Sequence, residues 1–117
     1  MGKDNIIKTK SFLFSVRIVN LYRFLTKEKK EFVMSKQLLR SGTAIGALVR
    51  EAEHAESKAD FIHKLSISLK EANETEYWLD LLNETNFLKE TDYICYQKDI
   101  KEILRLLISI VKTSKHN

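Results

Sequence analysis

Two glycines one helical turn apart, Gly42 and Gly46, constrain this chain more than any other feature. They lie in the stretch 37–52, where Ser41, Thr43, Ala44 and Ala47 leave the segment small almost all round. Leu38, Ile45, Val49 and Ala52 recur there at steps of three and four, the spacing of one helical face. Glycine inside a helix costs about 1 kcal/mol against alanine. Two in one helix predict that other backbone packs close against it.

The same period runs through the rest of the chain, and no strand alternation persists anywhere. The spacing predicts four helices, over about 9–27, 35–56, 58–86 and 91–113, with polar, frayed residues at 1–8. Ser35 is the expected N-cap of the second helix. Ser57, with Asp60 three residues on, is the expected start of the third. Short joints make neighbouring helices antiparallel, so the predicted fold is all-α, an up-down-up-down four-helix bundle forming one domain over 1–117. The first and last helices carry more apolar positions than a lone bundle uses, which is roughly three in seven. Phe12, Leu13, Phe14, Val16, Ile18 and Val19 cover most of one girth, and Leu106 and Ile108 are surplus on the last helix. That surplus predicts a patch covered by self-association.

Composition removes several function classes. The single Cys95 allows no internal disulfide and fits a reducing cytoplasm. No signal peptide is visible, and the apolar run at 103–111 contains Arg105 and is too short to span a bilayer. No membrane association is expected. The net charge of +4 hides an asymmetry. Residues 1–50 carry eleven Lys/Arg against three Asp/Glu, a net of +8, and residues 51–117 carry a net of −4. Such a split either marks a basic face for polyanions or is absorbed by pairing within the bundle or between subunits.

Two segments resemble a known bacterial family. One is Gln37-Leu38-Leu39-Arg40-Ser41-Gly42-Thr43-Ala44-Ile45-Gly46-Ala47 followed by Glu51-Ala52. The other is Phe61-Ile62-His63-Lys64-Leu65-Ser66-Ile67-Ser68-Leu69-Lys70-Glu71-Ala72 followed by Glu74-Thr75-Glu76-Tyr77-Trp78-Leu79. They are similar to the four-helix-bundle proteins of intervening sequences in bacterial 23S rRNA genes, the S23 ribosomal protein family. Accessory variability proteins of retroelements are related to these. The resemblance covers nearly the whole chain. It implies a bundle assembled into a homopentamer with a central channel, and affinity for RNA or DNA through basic residues. The family has no settled biochemical activity. Ala44 and Leu48-Val49 depart from the serine and Asn-Ile often found there, which removes polar groups from that face.

The charged residues of those segments have two readings. Arg40 and Arg50 lie nearly at one azimuth of a helix, and Glu71 and Glu74 neighbour each other on the next. They form either a ladder of interhelical ion pairs or, through the arginines, contacts to phosphate. Lys27, Lys29, Lys30 and Lys36 are the main lysine candidates for nucleic acid, beside Lys3, Lys8 and Lys10. Trp78 and Tyr77 either stack on bases or, more commonly, fill a core or subunit seam.

No complete catalytic signature is present, and neither a metal nor another cofactor is expected. Glu51-x-x-His54 is half of a di-iron pattern, which needs a second Glu-x-x-His. Arg50-x-x-x-His54 is shorter by one or more residues than the pair of small helical ribonucleases, and shortening by one turns the histidine by about 100° around a helix. The leading expectation is therefore a non-enzymatic module binding RNA or ribonucleoprotein. The alternatives are a structural assembly with a protein partner, and a small ribonuclease.

Overall fold

A computed structural model describes residues 2–117 as four helices with no strand. They are α1 (Gly2–Lys27), α2 (Met34–Ala52), α3 (Lys58–Glu84) and α4 (Glu90–His116). Each helix packs on its chain neighbour, and α4 closes on α1. Side-chain pairs give the directions. Ser11 and Ile18 of α1 lie against Gly46 and Gly42 of α2, and Ser41 and Ile45 of α2 meet Thr75 and Ser68 of α3. Lys3 and Arg17 of α1 reach Ser109 and Asp99 of α4. Tyr93 and Gln97 of α4 meet Asp80 and Glu76 of α3. Numbers rise on one helix as they fall on its neighbour, so every adjacent pair is antiparallel. The rod measures 46 × 21 × 19 Å.

The glycine pair faces α1. A Cβ on Gly46 would stand 3.2 Å from the backbone oxygen of Ser11, and one on Gly42 would stand 2.9 Å from Cγ2 of Ile18. One contact is backbone, as the spacing implied; the other is a buried β-branched side chain. The opposite flank of α2 is small as well. The hydroxyls of Ser41 and Thr75 are 3.0 Å apart, and Ser68 Oγ donates to the Ile45 carbonyl at 3.0 Å. Small residues on both flanks make α2 the helix on which α1 and α3 lean. Ile7, Phe14, Ile18, Leu38, Ile45, Leu79, Ile100, Ile103 and Leu107 fill the centre.

Helix ends depart from expectation in three places. α1 starts at Gly2 rather than near residue 9. Ile7 is buried beside the end of α2, and Lys8 pairs with Glu53 at 3.1 Å, so the polar leader is tied down. Met1 lies outside the described residues. α2 ends at Ala52, four residues early, in a turn where Ser57 Oγ already accepts the Asp60 N–H at 3.0 Å. Ser35 does not cap α2. It lies inside the helix, and the carboxylate of Glu31 takes the N–H groups of Val33, Met34 and Ser35 at 3.1, 2.9 and 2.7 Å. α3 closes with Asn86 in the left-handed region, Phe87 N–H on the Leu82 carbonyl and Asn86 N–H on that of Asn83, a Schellman stop.

Candidate nucleic-acid interface

The cations of residues 1–50 include a paired set and an unpaired set. Along the length of the bundle, the basic first half is tied to the acidic second half. Lys8 pairs with Glu53, Lys10 with Glu102 at 2.8 Å, and Arg17 with Asp99 while its guanidinium lies 4.4 Å over the Tyr96 ring. Arg40 reaches Glu74 at 2.6 Å and Glu71 at 3.5 Å. The Trp78 indole N–H donates to the same Glu74 carboxylate at 3.0 Å. That indole bond, together with Arg40, holds the Glu74 carboxyl below its usual range despite partial burial, and the Glu74 hydrogen bond raises Arg40 further. Trp78 is half-buried, edge-on to exposed Tyr77 at 5.0 Å.

Arg50 has no carboxylate partner among the described residues. Its guanidinium lies 5.7 Å over exposed Phe12 of α1 instead. The ladder expected for Arg40, Arg50, Glu71 and Glu74 is thus built by Arg40 alone. Arg50 points off the α1 side of α2: ten residues fall about 80° short of three full turns, so the two arginines do not share the azimuth expected of them.

Among the described residues, five cations without an ion pair gather at the α1–α2 turn, while others, among them Lys3, Arg50, Lys70, Lys98, Arg105 and Lys112, are spread elsewhere on the surface. Lys27, Lys29, Lys30 and Lys36 are exposed there and form no ion pair among the described residues. Arg23, one turn before Lys27 on the same face, joins them. Sequence reasoning left Arg23 out, although its spacing to Lys27 was the available signal. Of the two acids in the turn, exposed Glu28 remains free, while Glu31 is consumed as the cap of α2. Burial pushes the Glu31 carboxyl upward, and three backbone N–H groups more than reverse this, so it stays ionised. Lys30 holds φ 57°, a left-handed conformation, and Glu31 N–H donates to the Leu25 carbonyl at 3.0 Å. The turn is therefore bonded at both ends and presents its lysines on a fixed backbone. Phe24, Phe32 and Val33 are exposed among them, the last at 75%.

The family model of the 23S rRNA-intervening sequence protein matches residues 3–109. The chain belongs to that family. A solved structure from Bacteroides thetaiotaomicron, described as a protein of unknown function from the S23 ribosomal protein family, is 64% identical. It covers 94% of this chain and 98% of its own, with a TM-score of 0.93. No curated protein sequence matches the chain.

The other sequence-derived pair lies at the opposite end of this family member. Arg50 and His54 line one open hollow with Ala47, Glu51, Glu56, Asp60 and Lys64. α2 stops before His54, so the residue sits in a turn and the rotation expected of a continuous helix does not apply. Three carboxylates share that hollow, one of them Glu51 held by Lys64 at 3.0 Å. Such a rim repels a phosphodiester more than it binds one. No group of three or more His, Cys, Asp or Glu side chains is placed to hold a metal among the described residues. No described helix is long and apolar enough to cross a membrane.

Proposed function

We propose that this chain is a non-enzymatic cytoplasmic module that assembles with copies of itself, as a pentamer, and offers the α1–α2 turn to RNA or a ribonucleoprotein. One observation carries the reading: Lys8, Lys10, Arg17 and Arg40 are ion-paired along the bundle, whereas Arg23, Lys27, Lys29, Lys30 and Lys36, close together at one turn, form no ion pair among the described residues. Free, clustered cations on a fixed turn are what releases counterions from a phosphate backbone. Lys30 adds to this, because a lysine in the left-handed region costs about 1–2 kcal/mol that glycine would not. Observed backbone strain of that kind is a ground for a functional hypothesis. Repetition of the turn around a ring would multiply weak single contacts. Arg40 is placed outside the phosphate-binding set in this reading, its two carboxylates being the support, and Arg50 lies at the far end of α2.

Assembly is supported by the outward face of α1, where Phe12, Leu13 and Val16 are 54, 56 and 45% exposed and contiguous. α4 adds Ile94 and Ile108 on a different flank. The test is mass in solution, with and without added RNA. The reading expects five chains' mass, against 13.7 kDa for one, and a heavier complex with RNA that dissolves in salt. A monomer indifferent to RNA contradicts it. A pentamer indifferent to RNA favours the structural assembly. RNA cut by wild type and spared by His54→Ala would instead establish the ribonuclease.

A further inference from the structure

Beside the basic turn, a cleft of ≈ 200 Å³ opens at the α1–α4 seam. Phe24 and Tyr96 supply its aromatic walls, Leu21 and Leu88 its apolar floor, and Asn20 and Asp92 its polar rim. The side chains of Asn20 and Asp92 form no hydrogen bond or ion pair among the described residues, so the rim is unspent. Lys27 stands one turn beyond Phe24 on the same helix, and Arg23 is next to it. Lys29 Nζ lies 5.9 Å over the Phe24 ring. Aromatic wall, free acceptor and flanking cations are the parts that single-stranded nucleic acid requires: a surface for a base and charges for its phosphates.

We infer that this cleft receives one unpaired nucleobase bearing an exocyclic amino group, from single-stranded RNA whose phosphates lie along the α1–α2 turn. The inference rests on the proposed RNA-binding function and narrows it. Phe24 gives the base a π surface. The Asp92 carboxylate accepts from an amino group such as cytosine N4, whereas uracil would set O4, another acceptor, against it. A duplex, its bases stacked and paired, cannot enter.

The test is fluorescence anisotropy with the full chain and labelled oligo-C, oligo-U and a blunt two-strand duplex of equal length. Oligo-C is expected to bind about tenfold tighter than oligo-U or the duplex. Phe24→Leu keeps apolar bulk without the ring and is expected to weaken oligo-C about tenfold while leaving duplex binding unchanged. Asp92→Asn is expected to shrink the oligo-C preference to about twofold or less without loss of total affinity. Equal, salt-sensitive binding of all three ligands, with both variants silent, would overturn the cleft and leave the basic turn standing. Displacement of oligo-C by an equal concentration of free CMP would assign the cleft to mononucleotides, which also overturns it. No salt-sensitive binding of any RNA would remove the cleft and the function it rests on together.

Discussion

At Gly42 a methyl group would sit 2.9 Å from Ile18, a fully buried side chain whose β-branch allows almost no rotamer escape. Gly42→Ala gains about 1 kcal/mol of helix propensity but overpacks the core at about 1–3 kcal/mol, so a net loss of stability is expected. Urea unfolding should show that loss shrinking in an Ile18→Ala background, and strict additivity would deny the contact. Lys30 and Glu31 give two more residue-level outcomes. Lys30→Gly relieves a left-handed lysine at some cost in unfolded-state entropy, so stability should rise by up to about 1 kcal/mol while RNA affinity falls. Glu31→Gln weakens the α2 cap by about 0.5–2 kcal/mol. The folded Glu31 carboxyl lies below its ordinary 4.5, so its contribution is fully present above that pH and is lost as pH falls through the folded value. The gap between wild type and Glu31→Gln, followed by thermal unfolding, should therefore close in acid; a gap independent of pH would exclude the carboxylate as the cap. The glycine contact was legible in the sequence, because its spacing is itself the signal; Lys30 was legible as a cation but not as a left-handed residue. Glu31 was not, since it caps from outside the position where a capping side chain is sought.

The number and type of the helices followed from apolar period, and the all-α bundle appeared as expected. Their ends followed only where a side chain marked them, as at Ser57. The start of α1 was hidden because Gly2–Asn5 look solvated, while the burial of Ile7 depends on the far end of α2. The end of α2 was hidden because neither glycine nor proline marks it, and with it went the placement of His54. At this scale Arg40 decides between the two readings of the shared α2–α3 surface. Its pairs with Glu71 and Glu74 are partly exposed and worth about 0.2–1 kcal/mol. Arg40→Ala should lower the melting temperature slightly and leave RNA affinity unchanged. Lost affinity at unchanged stability would return Arg40 to the phosphate contacts.

Across the whole molecule, charge and oil are sorted onto different surfaces. Ion pairs join α1 to α4 and α2 to α3, an apolar strip is left along the outside of α1, and five cations without an ion pair among the described residues sit together at one turn. Composition revealed the charge asymmetry but not its division into paired and unpaired cations, which depends on which carboxylates the fold brings close. The family resemblance was legible from the segments around Gly42 and Glu71, and the match over residues 3–109 agrees with it. The central claim is that the unpaired lysines of the α1–α2 turn hold RNA phosphates. It is tested most directly by the salt dependence of RNA binding for wild type and for a variant with Lys27, Lys29, Lys30 and Lys36 all changed to Gln. The slope of log K against log salt should fall in magnitude by about 3, near 0.7–0.9 for each phosphate contact removed. An unchanged slope with unchanged affinity would contradict the account.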